Sequence, residues 1–192
     1  MISISVNDHA SPALRQFAAT VKNPMPGLMV AGRAVVNLLR QHYRDKDRNQ
    51  PNKLGGTRTH FWLQIGRSVH SPKQTGASEV TVQISDPRFP QKVYGGVISV
   101  KNKPWLTIPM RSEAYGRAAS VLENALGIRL FRYGNTLSAK QDGHIIAYYA
   151  LCKKTRPQKK DPTAFPPEAQ MGQAAAKAME AYMERMKARA GS

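Results

Sequence analysis

The period of the hydrophobic pattern switches between helical and alternating along this chain, and that switching restricts the fold more than any other feature. Between Ser11-Pro12 and residue 69 apolar residues recur at helical spacing. Leu28, Ala31, Val35, Leu38 and Leu39 make one stripe that runs to about Tyr43, and Phe61, Trp62, Ile65 and Val69 make a shorter one over residues 59–69. After Ser71-Pro72 the period becomes two. Val80, Val82 and Ile84 alternate with polar residues, residues 93–100 read as a second strand, and residues 105–109 form an extended piece bounded by prolines, which suits a sheet edge. Ser112 can cap a helix containing Ala114, Ala118, Ala119, Val121 and Leu122. Residues 128–133, 136–140 and 144–153 then read as three strands, with Gly134-Asn135 and Asp142-Gly143 as hairpin turns.

The helical period returns for a final helix over Glu168–Ala190, whose narrow stripe is Met171, Ala175, Ala178, Tyr182 and Met186. At the other end Ile2, Ile4 and Val6 alternate like a short strand, and Ser11-Pro12 is a good helix start. The expected fold is therefore α+β: an antiparallel, partly curved β-sheet packed by N-terminal and central helices, with an extended basic linker and a C-terminal helix. The expected domains are an α+β core over 1–153 and a basic linker with a helical arm over 154–192.

Charge constrains the partners. Lys and Arg number 29 against 12 acids, a formal net charge of +17 in 192 residues. Such a field favours polyanions or acidic protein surfaces. Residues 153–160 hold Lys153, Lys154, Arg156, Lys159 and Lys160 with no acid among them. The single cysteine, Cys152, cannot form an internal disulfide, and its apolar neighbours suit a small buried hydrophobe. No apolar run reaches the ~18 residues of a membrane span, so no membrane partner is expected, and the start of the chain has no basic region like that of a signal peptide. A cytoplasm-like compartment of synthesis fits these features.

One block combines turn, cap and aromatic signals: Asn52-Lys53-Leu54-Gly55-Gly56-Thr57-Arg58-Thr59-His60-Phe61-Trp62. Paired glycines allow positive φ or close approach, and Thr57 and Thr59 can each cap the next helix. Lys53, Arg58, Phe61 and Trp62 then cluster at one end of an element, as a recognition surface for phosphate or protein would require. Gly95-Gly96 interrupts a strand pattern and marks a bulge or a close backbone contact. Catalysis is the least supported class. No P-loop and no G-x-G-x-x-G occurs, the five histidines show no metal-ligand spacing, and Asp45 and Asp47, two apart on a helix, do not face each other. No catalytic residue, cofactor or metal is expected.

The order of the blocks carries a resemblance. After the 52–62 block come Tyr94-Gly95-Gly96-Val97-Ile98, Leu106-Thr107-Ile108-Pro109, Glu113-Ala114-Tyr115-Gly116, Tyr148-Tyr149-Ala150-Leu151 and Asp161-Pro162-Thr163-Ala164-Phe165-Pro166. Over residues 12–190 this series resembles the tailed-bacteriophage virion morphogenesis proteins, which include tail-completion and head–tail joining (neck) proteins. The resemblance implies a structural virion protein, assembled in the host cytoplasm, that forms a hexameric or dodecameric ring at the head–tail interface. Its partners would be neck, portal or tail-tube proteins, with non-specific contact to packaged DNA. Gly55, Gly56, Arg58, Phe61 and Trp62 would belong to a loop-and-helix contact, and Gly95 and Gly96 to close packing. The alternative is a nucleic-acid-binding protein using Arg40, Arg44, Lys46, Arg48, Lys53, Arg58 and the 153–160 cluster.

Overall fold

A computed structural model describes residues 23–51, 54–56 and 58–190. The strand expected at residues 2–6 and the helix from Ser11-Pro12 lie outside the described residues, as do Asn52, Lys53 and Thr57. In chain order the elements are α1 (Met25–Asn49), α2 (Phe61–Arg67), β1 (Lys73–Gly76), β2 (Glu79–Thr81), α3 (Phe89–Tyr94), β3 (Leu106–Pro109), a 3-10 turn (Ser112–Ala114), α4 (Ala119–Leu126), β4 (Phe131–Tyr133), β5 (Thr136–Gln141), β6 (His144–Cys152) and α5 (Glu168–Ala190). Helices and two antiparallel sheets make this an α+β fold.

Contacts group the chain into two units. One holds residues 25–44, 65–86 and 165–190, the other Asp45–Gln64 and Pro87–Ala164. In the first, α1 begins three residues before its apolar stripe because Pro26 lies in the first turn, where a missing N–H costs nothing. Leu28 N–H closes that turn on Pro24 O at 3.0 Å. Ala31, Val36, Leu39 and Tyr43 of α1 are buried with Ile65 and Val69, while Val35 and Leu38 sit at the half-buried flanks. Two glycines let neighbours approach this helix. A Cβ at Gly32 would stand 2.8 Å from Pro72 Cβ, and one at Gly27 would stand 2.6 Å from Met179 Sδ. The β1–β2 hairpin and α5 therefore pack on α1, and the stripe of α5 foreseen from sequence is its half-buried face.

The second unit is built on a four-stranded antiparallel sheet of order β3-β6-β5-β4. Both expected hairpin turns form: Gly134 takes φ 57°, and Asp142 and Gly143 take 48° and 81°. The sheet carries one bulge. Leu137 pairs with Tyr149 but Ser138 pairs with Ala147, so Tyr148 is an extra residue. Adjacent strand residues normally face opposite ways; the bulge lets Tyr148 and Tyr149 both enter the core with Ala114, Leu122 and Ala139. Their hydroxyls donate to Gln141 Oε1 at 3.0 Å and Arg117 O at 3.1 Å.

Several expectations are corrected. Residues 93–100 are not a strand. Pro90 suits a first helical turn, so residues 89–94 coil as α3, and residues 95–100 are extended but only bridged. The helix expected from Ser112 is split, because Gly116 takes φ 75° and ends the 3-10 turn; α4 starts at Ala119. Val82 lies outside β2, which is only three residues long. Cys152 is half-buried at the end of β6 rather than fully enclosed.

Candidate functional site

The 52–62 block leads into α2 as the sequence suggests, but the cap comes from elsewhere. Asp47 Oδ1 accepts from Leu63 N at 3.2 Å, and Asp47 Oδ2 lies 2.9 Å from His60 Nδ1. A carboxylate from the end of α1 thus serves one orphan backbone donor of α2, the role expected of a threonine cap. Thr59 instead turns its methyl against Gly116, and its carbonyl accepts from Gln64 Nε2 at 3.1 Å. Gly55 and Gly56 both take φ 74°. Gly55 faces open space, whereas a Cβ at Gly56 would stand 3.2 Å from Ser112 Cβ.

Beneath this loop lies a buried ion pair that sequence reasoning missed. Lys46 Nζ donates to Asp161 Oδ2 at 2.8 Å, to Thr163 O at 2.7 Å and to Thr163 Oγ1 at 2.6 Å. All three ammonium protons are used. The side chain of Lys46 is 5% exposed and that of Asp161 24%. Asp161 Oδ1 also accepts from Thr163 N at 2.9 Å, an Asx-turn geometry. Burial alone would raise the Asp161 carboxyl, but the hydrogen bonds from Lys46 and Thr163 outweigh it and hold it below the usual carboxylate range. Burial lowers the Lys46 ammonium, and Asp161 opposes that shift. The same ammonium lies 3.9 Å from the Trp62 ring centroid, and Trp62 Nε1 donates to Gln50 Oε1 at 2.8 Å. Lys46 is therefore a structural cation, not the solvent-facing one that a nucleic-acid reading assigned to it. Arg40, Arg44 and Arg58 likewise hold local acceptors: Val69 O at 2.8 Å, Gln41 Oε1 at 2.8 Å and Asp47 O at 3.2 Å.

On this base sits a groove of about 550 Å³. Arg58, His60, Phe61, Arg88 and Lys92 are among its walls, with Trp62 behind. Phe61 meets Trp62 edge to face at 5.0 Å. Arg88 Cζ and Lys92 Nζ lie 5.1 and 5.3 Å from the Phe61 centroid, and Arg88 Nη2 donates to Gln64 Oε1 at 2.8 Å. Arg88 and Lys92 were not foreseen, because neither falls in an element expected from sequence, and the helix α3 that carries Lys92 was not expected. Among the described residues Asp47 is the one carboxylate on the wall, and it is held by His60 and Leu63 N.

Gly95 and Gly96 do mark a close backbone contact, and its partner is the basic segment. A Cβ on Gly95 would stand 2.5 Å from Gln158 O and 2.8 Å from Lys160 N. Gly96 and Gln158 exchange backbone hydrogen bonds of 2.9 and 2.7 Å, Thr155 N donates to Ile98 O at 2.8 Å, and Val100 N donates to Lys153 O at 3.0 Å. Asp161 N reaches Lys92 O at 2.8 Å. Residues 153–161 thus run antiparallel to residues 92–100, fixed by backbone bonds where a linker was expected. The side chains of Lys153, Lys154, Arg156, Lys159 and Lys160 remain exposed. Trp105 receives two cations, Arg132 Cζ at 4.9 Å and Lys153 Nζ at 5.8 Å from its ring.

Among the described residues no group of three or more His, Cys, Asp or Glu side chains could hold a metal ion, and no helix is long and apolar enough to cross a membrane. The arrangement offers anion recognition, cation–π contacts and packing. No protein-family model, no curated protein and no solved structure matches the chain.

Proposed function

We propose that this chain is a structural protein of a tailed-phage head–tail interface, a tail-completion or neck component that works by assembling into a ring. The order of sequence blocks prompts the reading, and one observation in the sheet supports it. Both edge strands, β3 and β4, have no further strand partner among the described residues. Strand directions alternate from β3 to β4, so β4 of one copy and β3 of the next would continue the antiparallel alternation. A single cross-strand row, Ile108–Ala150–Thr136–Tyr133, spans all four strands on the face opposite the α4-covered core. Its two ends are exposed, Ile108 at 38% and Tyr133 at 60%. Docking unlike edges head to tail would set Tyr133 beside Ile108 of the neighbour, an aromatic–β-branched pair. Repetition of such a contact closes a ring when the rotation allows. Pro109 has no N–H to offer a neighbouring strand, so the ladder between copies would rest on the β3 residues before it.

The test is light scattering and negative-stain electron microscopy of the purified chain, alone and with tail tubes. Rings are expected, and Tyr133→Asp is expected to leave a folded monomer. A wild-type chain that stays monomeric in both conditions, or a Tyr133→Asp variant that still forms rings, would overturn this assembly mode.

A further inference from the structure

We propose that the groove beside Phe61 binds single-stranded nucleic acid, holding one nucleotide unit against Arg58, Phe61, Arg88 and Lys92 while the strand's next phosphates lie on the basic segment 153–160. The proposal stands independently of ring formation. A groove of about 550 Å³ lies within the range typical of small-molecule sites and suits a nucleotide better than a duplex. Among the described residues Arg58, Arg88 and Lys92 line it, and its one carboxylate, Asp47, is committed to α2 and His60. Phe61 lines the groove with Arg88 and Lys92 beside its ring, so an aromatic group and cations meet in one place, as base stacking with phosphate contact requires.

The choice of nucleic acid over an acidic peptide rests on continuity. Lys92, on the groove wall, bonds through its carbonyl to Asp161, the residue that ends the basic run. From there the chain runs extended, pinned to residues 96–100, with five exposed cations between positions 153 and 160. Strand rise is about 3.3 Å per residue, so alternate residues such as Lys154 and Arg156 stand ~6.6 Å apart. That spacing is close to the separation of successive phosphates along one strand. An aromatic pocket feeding a cationic track is the usual composition of a single-strand binding surface.

Fluorescence anisotropy of the full chain with labelled oligothymidylate, a duplex of equal length and polyglutamate, each across a salt series, tests the proposal. Single strands are expected to bind at least tenfold more tightly than the other two. Arg58→Gln with Lys92→Gln should weaken that binding about tenfold or more and flatten the log–log salt slope by roughly 1.4, about 0.7 per lost phosphate contact. Phe61→Leu should weaken binding about tenfold with the slope unchanged. Should the double variant fail to fold, judged by its circular dichroism, Lys92→Gln alone at an exposed position should still flatten the slope by roughly 0.7. Tighter binding of duplex or polyglutamate, or an unchanged affinity and slope in the folded variants, would overturn it.

Discussion

Removing Lys46 should unsettle the second unit more than removing any other cation, and the structure sets the size of the effect. Lys46→Met keeps the unbranched stem over Trp62 but deletes three hydrogen bonds of 2.6 to 2.8 Å and the cation–π contact. Asp161 is left with Thr163 on Oδ1 and, at 24% exposure, can recruit water on Oδ2. The loss should therefore fall just short of that for a fully enclosed pair, about 2–4 kcal/mol. Asp161→Asn is the harsher change, because it strands an ammonium that is only 5% exposed. It should cost about 3–5 kcal/mol. Combining the two leaves no buried charge, so the double variant should be less damaged than the sum, with a coupling of roughly 2 kcal/mol.

Both tryptophans, Trp62 and Trp105, lie in the second unit, so tryptophan fluorescence reports that unit selectively. Denaturant titration of the four proteins, monitored by fluorescence, gives the cycle. In heat, each kcal/mol corresponds to about 2–4 °C for a chain of this size. A coupling below about 0.5 kcal/mol would refute the claim that these charges act as a pair.

The same pair predicts a pH dependence. The Asp161 carboxyl is held below its unfolded value of about 3.9, so its contribution is present above that pH and is lost as pH falls through the lower folded value. Fluorescence-detected stability should drop through that acid window, and Lys46→Met should make the drop shallower. Gly95→Ala meets Gln158 O at 2.5 Å with φ at 71°, whereas Gly96→Ala has a strained φ of 101° but open space. The first should cost about 2–4 kcal/mol and the second about 1–2 kcal/mol, measured by the same titration; equal costs would mean that the 153–160 segment does not lie against Gly95. Trp62→Phe, which loses the bond to Gln50 but keeps a ring under Lys46, should cost about 1–2 kcal/mol. A cost under a few tenths would argue against a bound indole N–H.

Most of the secondary structure was legible because its signals are local. Helix α5 falls on the stretch read for it, both hairpins turn at Gly134-Asn135 and Asp142-Gly143, and the proline-bounded segment is an edge strand. The failures occur where a local signal loses to a partner far away in sequence. Residues 93–100 carry an alternating pattern, yet among the described residues they pair only with the basic segment. Gly96 and Ser99 pair with Gln158 and Lys154, a step of three residues on one side against a step of four on the other. That mismatch prevents a regular ladder. Charge was the weaker guide still: five cations in eight residues read as a solvated linker, and backbone bonds to 96–100 are invisible in side-chain character.

The fate of Asp45-Lys46-Asp47 shows why the site itself could not be read from spacing. On a helix, neighbours in sequence point about 100° apart. That geometry excludes a paired-carboxylate site, as the sequence suggested, but it does more than exclude. It sends Lys46 inward to Asp161 and Thr163 and leaves Asp47 free to reach the start of α2. One turn of helix therefore fixes two chain segments that are 115 and 16 residues away. With its acids and its inner lysine so engaged, the groove above keeps the cations of Arg58, Arg88 and Lys92. That division, acids held for shape and cations on the wall, is what the anion-binding proposal requires. Neutralising Asp47 should then damage the fold of the loop before it alters the charge of the groove. Asp47→Asn, which keeps one acceptor for Leu63 N, should retain more structure than Asp47→Ala by about 1 kcal/mol. Equal stability of the two variants would mean that Asp47 does not cap α2.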